Sequence, residues 1–144
     1  MVIASEFVLD TSFAIPWIFA DEVNPLSDEA WRELVARKVS AHVPGLWPME
    51  VVNVTLRGPR NQKPKPSEKD IEAFFAVVRR MPLRVHFQGL DVFVEEAVPL
   101  MRKYKLTAYD TAYLLLAKSM KLPLASCDDR MRKAAASEGI EVLE

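Results

Sequence analysis

The chain has one cysteine, Cys127, so it cannot form an internal disulfide, and nothing in its cysteine usage points to an oxidising compartment. Histidine is nearly as scarce. His42 and His86 are the only two, and no Cys/His spacing suits zinc. No window approaches the roughly 18 consecutive apolar residues of a membrane span. The opening MVIASEFVLD has an acid at its sixth position and no basic stretch running into a long apolar one. It does not read as a signal peptide, so a soluble, cytoplasmic protein with no membrane partner is expected. Strong charge of either sign is also missing: the net charge is -1, without the basic excess of many nucleic-acid binders. A role on nucleic acid would have to come from how the charges are distributed.

What is present is a globular balance, with 50% hydrophobic and 27% charged residues. A length of 144 residues gives room for one compact domain, residues 1–144, with a core large enough to fold without staples. The ten prolines are spread along the chain and mark boundaries between elements. There is no internal repeat and no low-complexity tract.

Phe7 to Leu9 is a short apolar run ending in Asp10, the pattern of a buried strand with a polar residue at its C-terminal end. Ser27 reads as the N-cap of a helix with acids in its first turn and Ala30, Trp31, Leu34 and Val35 on one face. Val39 to Val43 is strand-like. Trp47 to Leu56 is rich in strand-favouring residues, yet Pro48 suits a first helical turn, and a helix sets Glu50, Asn53 and Arg57 on a single face. Ser67 caps a helix carrying Ile71, Phe74, Phe75 and Val78, and Leu83 to Phe87 reads as strand.

From about Asp91 a helix presents Phe93, Ala97, Leu100, Met101 and Tyr104, and Ala108 to Met120 is apolar nearly all round, the mark of a buried helix. Leu122 to Ser126 is strand-like. Asp128 or Asp129 caps a helix from Arg130 to Ser137, Gly139 suits its C-terminal end, and Ile140 to Leu143 closes as strand. Strands alternating with helices imply an α/β fold, a mostly parallel sheet covered on both faces.

In open parallel sheets, ligands sit beyond the carboxyl ends of the strands. Asp10 ends the first strand and Asp128 follows a late one, while Glu50 and Asp110 open helices that can adjoin the same rim. Like charges brought together repel, and burial raises the cost of ionising each, so such a cluster persists when a cation holds it or when some members are protonated. All-oxygen ligation selects hard cations, Mg²⁺ or Mn²⁺ before zinc. An ion so held lowers the pKa of bound water and polarises a phosphodiester, which is hydrolase chemistry. Taken singly, each of these acids is more commonly a cap or a turn former.

Their local contexts carry a family resemblance. Val8-Leu9-Asp10-Thr11-Ser12 resembles the opening motif of PIN domains, and Glu50 with Asn53 three residues later resembles the second. Leu106-Thr107-Ala108-Tyr109-Asp110-Thr111-Ala112-Tyr113 is similar to the Tyr-Asp opening of the family's buried helix. Leu124-Ala125-Ser126-Cys127-Asp128 resembles the fourth motif, with Ser126 where threonine is commoner. Each motif is weak alone, whereas the ordered set spans the chain and is specific.

The resemblance implies a PIN-like three-layer sandwich and a metal-dependent endoribonuclease, most often the toxin of a VapBC-type toxin–antitoxin pair. It implies Asp10, Glu50, Asp110 and Asp128 as metal ligands for Mg²⁺ or Mn²⁺, with Ser12, Ser126 and Asn53 in support; the sequence departs from the pattern in that Asp129 directly follows Asp128, and the spacing from Ser126 favours Asp128. It implies in-line attack of water leaving a 5′-phosphate and a 3′-hydroxyl, an antitoxin partner and a homodimer. A housekeeping RNA-processing nuclease fits the same motifs. A receiver-type Mg²⁺-binding module would need adjacent acids after the first strand and a late strand lysine, and Thr11 and Ser12 follow Asp10 instead. A haloacid dehalogenase-type phosphatase would need an acid where Ser12 stands.

Arg57, Arg60, Lys63 and Lys65 form a basic segment that either contacts RNA backbone or is a solvated loop, and Arg79, Arg80 and Arg84 pose the same choice. Trp17 and Phe19 suit packing more than base stacking or an antitoxin groove, and Trp17, Trp31 and Trp47 are candidate dimer contacts. Cys127 is expected to be a buried structural thiol, and His42 and His86 to be core residues.

Overall fold

Four short strands pair in parallel in the order β3-β2-β1-β4: β1 (Glu6–Leu9), β2 (Ser40–Pro44), β3 (Leu83–His86) and β4 (Leu124–Ala125). They belong to a computed structural model that describes residues 2–19, 21–58 and 65–144. Phe7, Val8 and Leu9 of β1 are fully buried in succession. Successive strand residues point to opposite sides, so both faces of the sheet are covered, as the uninterrupted apolar run requires. Burying side chains such as Phe7 and Leu9 contributes roughly 1.5–3 kcal/mol each.

The helices are α1 (Thr11–Ala14), α2 (Pro25–Val35), α3 (Trp47–Arg57), α4 (Glu68–Val78), α5 (Leu90–Tyr104), α6 (Ala108–Met120) and α7 (Asp129–Ser137), with a 3₁₀ turn at Ile15–Trp17. Every residue of α6 from Thr111 to Ala117 is buried, and the helix packs on β1 and β2. Residues 47–57 are helical, so the grouping of Glu50, Asn53 and Arg57 outweighed the local strand propensity. Ser67 caps α4 through a capping box with Asp70. The result is the α/β sandwich that the PIN resemblance implies.

Local expectations fail at three places. Asn24 rather than Ser27 caps α2: its Oδ1 accepts from Leu26 and Ser27 N–H at 3.1 Å, and Pro25 takes the first helical position. Ser27 is buried instead, donating to the Phe13 carbonyl at 2.6 Å. Residues 140–143 form no strand beyond a parallel bridge from Val142 to Leu124. Of the candidate interface tryptophans, Trp47 is buried in the core, whereas Trp17 and Trp31 are half-buried, their ring centroids 5.3 Å apart and Trp31 stacked on Phe74. Among the described residues, no helix is long and apolar enough to cross a membrane.

Candidate active site

The strand order places a topological switch between β1 and β4, because the chain winds outward from β1 to β3 and then returns to pair β4 on β1's other side. Asp10 stands there, at the end of β1, and its N–H bonds the Ala125 carbonyl of β4 at 2.9 Å. Its carboxylate is buried and takes two hydroxyl donors on Oδ2, Ser12 at 2.5 Å and Ser126 at 2.7 Å. Burial pushes Asp10 up to about 6; the two serine hydrogen bonds oppose the rise, and the negative charges of Glu50 and Asp110 add to it.

Glu50 enters from the first turn of α3, half-buried. Its Oε1 accepts from Tyr113 of α6 and from Thr11 at 3.3 Å, and the Thr11 and Tyr113 oxygens are themselves 3.1 Å apart. Burial raises the Glu50 pKa, those hydrogen bonds restrain it, and the charge of Asp110 raises it further. Asp110 sits in the first turn of α6, where its N–H donates to the Thr107 cap at 3.1 Å. Its carboxyl is raised chiefly by burial; hydrogen bonding to Thr107 opposes the rise, the charge of Asp128 adds to it and Arg130 pulls the other way.

Asp128 caps α7, its Oδ1 accepting from Arg130 N–H at 2.8 Å and Met131 N–H at 3.1 Å. Its own N–H donates to Ser126 Oγ at 3.1 Å, so Ser126 ties it to Asp10. Asp129 is exposed at the first helical position, which leaves Asp128 as the acid on the Ser126 side.

These are four acids, from the end of β1 and the starts of α3, α6 and α7, electrostatically coupled to one another: Asp10 with Glu50 and Asp110, Glu50 with Asp110, and Asp110 with Asp128. They do not form a closed cage. Among the described residues, no three acid, histidine or cysteine side chains stand close enough to enclose an ion. The arrangement is that of like charges holding apart, with one oxygen each of Asp10, Glu50 and Asp128 fixed by internal donors. The donor set itself, all carboxylate oxygen, fits a hard divalent cation.

Asn53 lies exposed one turn along α3 from Glu50. Arg57 and Lys65 are exposed, whereas Arg60 and Lys63 lie outside the described residues. Two contributors, Thr11 and Tyr113, stand inside the motifs without having been given a role there. Thr11 follows Asp10 directly, and Tyr113 lies three residues after Asp110, a spacing that shares a helical face and would have marked it. Cys127 is exposed, contrary to its expected burial, because it lies in the turn between β4 and α7, with its Sγ accepting from Asn24 Nδ2 at 3.2 Å. His42 is buried as a core residue and bridges Glu6 at 3.0 Å and His86 at 2.8 Å across three strands, while His86 is only half-buried.

Comparisons with known proteins agree with this architecture. Comparison with curated proteins gives no match. Among solved structures, PAE2754 from Pyrobaculum aerophilum superposes with a TM-score of 0.57 at 16% identity, covering 90% of this chain and 84% of that one. FitAcB from Neisseria gonorrhoeae gives 0.60 at 12% identity, covering 96% of each chain. At such identities the likeness is one of fold. The PIN domain family model matches residues 7–137, nearly the whole sheet-and-helix body with all four acids inside it, and the chain belongs to that family.

Proposed function

We propose that the protein is a divalent-metal-dependent endoribonuclease in which Asp10, Glu50, Asp110 and Asp128 hold Mg²⁺ or Mn²⁺. The observation that carries this reading is Asp10, a buried carboxyl raised to about 6 whose charged neighbours are acids rather than compensating cations. Such a group is costly to a fold at neutral pH unless something positive binds there. When bound, a divalent ion supplies an activated water and charge neutralisation at phosphorus.

The chain's own residues do the positioning. Ser12 and Ser126 fix one oxygen of Asp10 and leave the other free, and Tyr113 with Thr11 does the same for Glu50. Thr107 and Asp128 anchor the starts of α6 and α7, which set Asp110 and Asp128 at the switch point. Exposed Arg57 and Lys65 supply positive charge towards an RNA backbone, together with Arg60 and Lys63 in the intervening segment.

The biological setting we propose is the toxin half of a VapBC-type pair, a homodimer neutralised by an antitoxin protein. This part rests on the ordered set of motifs. The nuclease reading is tested by incubating the protein with structured RNAs and Mn²⁺. Cleavage that stops on chelation and in Asp110→Asn supports it, and intact RNA under all these conditions refutes it.

A further inference from the structure

Beside the acids lies a second concavity whose chemistry the metal site does not use. It has a volume of about 330 Å³, at the lower end of the roughly 300–1,000 Å³ of ligand pockets. It shares Ser12 and Cys127 with the acidic site: Ser12 donates to Asp10, and the Cys127 N–H donates to Ser12 Oγ at 3.0 Å. A group seated in this cleft is therefore one residue away from Asp10 on one wall and from Asp128 on the other.

The remaining lining divides by chemistry. Ile15, Pro16 and Val23 present apolar surface, which suits the face of a planar ring. Asn24 is largely committed, since its oxygen caps α2 and one of its two amide N–H groups donates to Cys127, which leaves a single donor and no acceptor for a ligand. Glu22 differs. It is exposed, a backbone bond from its N–H to the Phe19 carbonyl at 3.0 Å holds its turn, and among the described residues its carboxylate has no hydrogen-bond or ion-pair partner.

A carboxylate is acceptor-only, with two oxygens side by side. Guanine is the RNA base whose Watson–Crick edge offers two adjacent donors, N1–H and the N2 amino group. Adenine and cytosine set one donor beside an acceptor, and uracil sets one donor between two acceptors. We propose that this cleft is a nucleobase subsite selecting guanine next to the phosphodiester addressed by the acids, with Glu22 accepting from the guanine edge. The proposal rests on the nuclease reading above and adds base selection to it.

The test needs no cleavage. The full-length ¹⁵N-labelled chain is titrated with guanosine, adenosine, cytidine and uridine, none of which carries a phosphodiester. Guanosine is expected to move the amide signals of Ile15, Val23 and Cys127 at roughly tenfold lower concentration than the other three, the scale of one bidentate edge contact. Glu22→Gln, which replaces an acceptor pair by an acceptor and a donor on an exposed side chain, should erase that preference and leave the remaining spectrum unchanged.

Equal response to all four nucleosides, shifts centred elsewhere, or a preference that survives Glu22→Gln would each overturn the proposal. So would no response at all. Guanosine binding in a chain that cleaves no RNA would refute the nuclease reading and keep the subsite, so the two failures are distinguishable.

Discussion

Tyr113 and Glu50 meet between α6 and α3, the buried phenol donating to the carboxylate oxygen that also receives the Thr11 hydroxyl. Tyr113 is thereby the residue through which the buried helix aims an acid carried by another helix. Burial, followed by the hydrogen bond to Glu50, raises the phenol's own pKa, so it stays a donor at any working pH.

Removing that donor should separate positioning from folding. Tyr113→Phe keeps the ring volume and deprives Glu50 of the stronger of the two hydrogen bonds restraining its pKa. Loss of a hydrogen bond to a charged group costs on the order of 1–3 kcal/mol. Loss of a ligand's supporting partner lowers metal affinity by roughly 10–100-fold. Thermal denaturation with and without a Mn²⁺ series reads both, and a variant matching the parent on both counts would remove Tyr113 from the site.

Asp10 makes the metal-free protein pH-sensitive in a predictable direction. Its folded pKa of about 6 lies above the ordinary value near 3.8, so the folded state binds the proton more tightly than the unfolded one. Its contribution is most favourable below about pH 4, declines as pH rises towards 6 and levels off above that, a change on the order of 3 kcal/mol. In chelator, Asp10→Asn should flatten part of this slope and be more stable than the parent at pH 7.5, because the amide oxygen still accepts from the two serines. Superimposable stability–pH curves would mean that burial does not penalise Asp10.

Asp110→Asn relieves the same repulsion from the α6 side. Asp110 is one of the charges acting on both Asp10 and Glu50, and the substitution leaves its backbone N–H bond to the Thr107 cap intact. The fold should persist with an unchanged or slightly higher melting temperature in chelator, while the increase on adding Mn²⁺ shrinks or disappears and RNA cleavage is lost. If the parent itself shows no Mn²⁺-dependent rise, the four acids do not share an ion.

The sheet and α6 were legible in the residues because burial on all sides leaves a signature no surface element shares, as Phe7 to Leu9 and Thr111 to Ala117 show. The helix at residues 47–57 was legible only through its polar face, since Val51, Val52 and Val54 argue locally for strand. The Asn24 cap was missed because Ser27 with two following acids is the stronger local signal, and only the tertiary bond from Ser27 to Phe13 removes it from that role. Cys127 was misplaced because residue type favours burial, while its environment is set by the turn joining β4 to α7. The Thr11–Glu50–Tyr113 contact joins positions 39 and 63 residues apart, beyond the reach of local patterning.

Far from the acids, Glu138 at the end of α7 gathers Lys118 at 2.7 Å, Lys103 at 3.1 Å and the Tyr104 hydroxyl, so one carboxylate ties α5, α6 and α7 together. These partners, Lys118 first and Tyr104 next, hold its pKa down to about 2. A folded pKa below the ordinary 4.5 means the contribution is complete above about pH 4.5 and is lost as pH falls towards 2. Both lysines are half-exposed or more, so their pairing is screened, and the phenol bond carries more of the effect. Glu138→Gln should cost on the order of 2 kcal/mol at pH 7, with the gap closing as pH approaches 2 and narrowing modestly in high salt. Because Glu138 is remote from the acids, Mn²⁺ binding and RNA cleavage should match the parent at temperatures where both are folded. A loss of cleavage without a loss of stability would show that the α5–α6–α7 junction reaches the site after all.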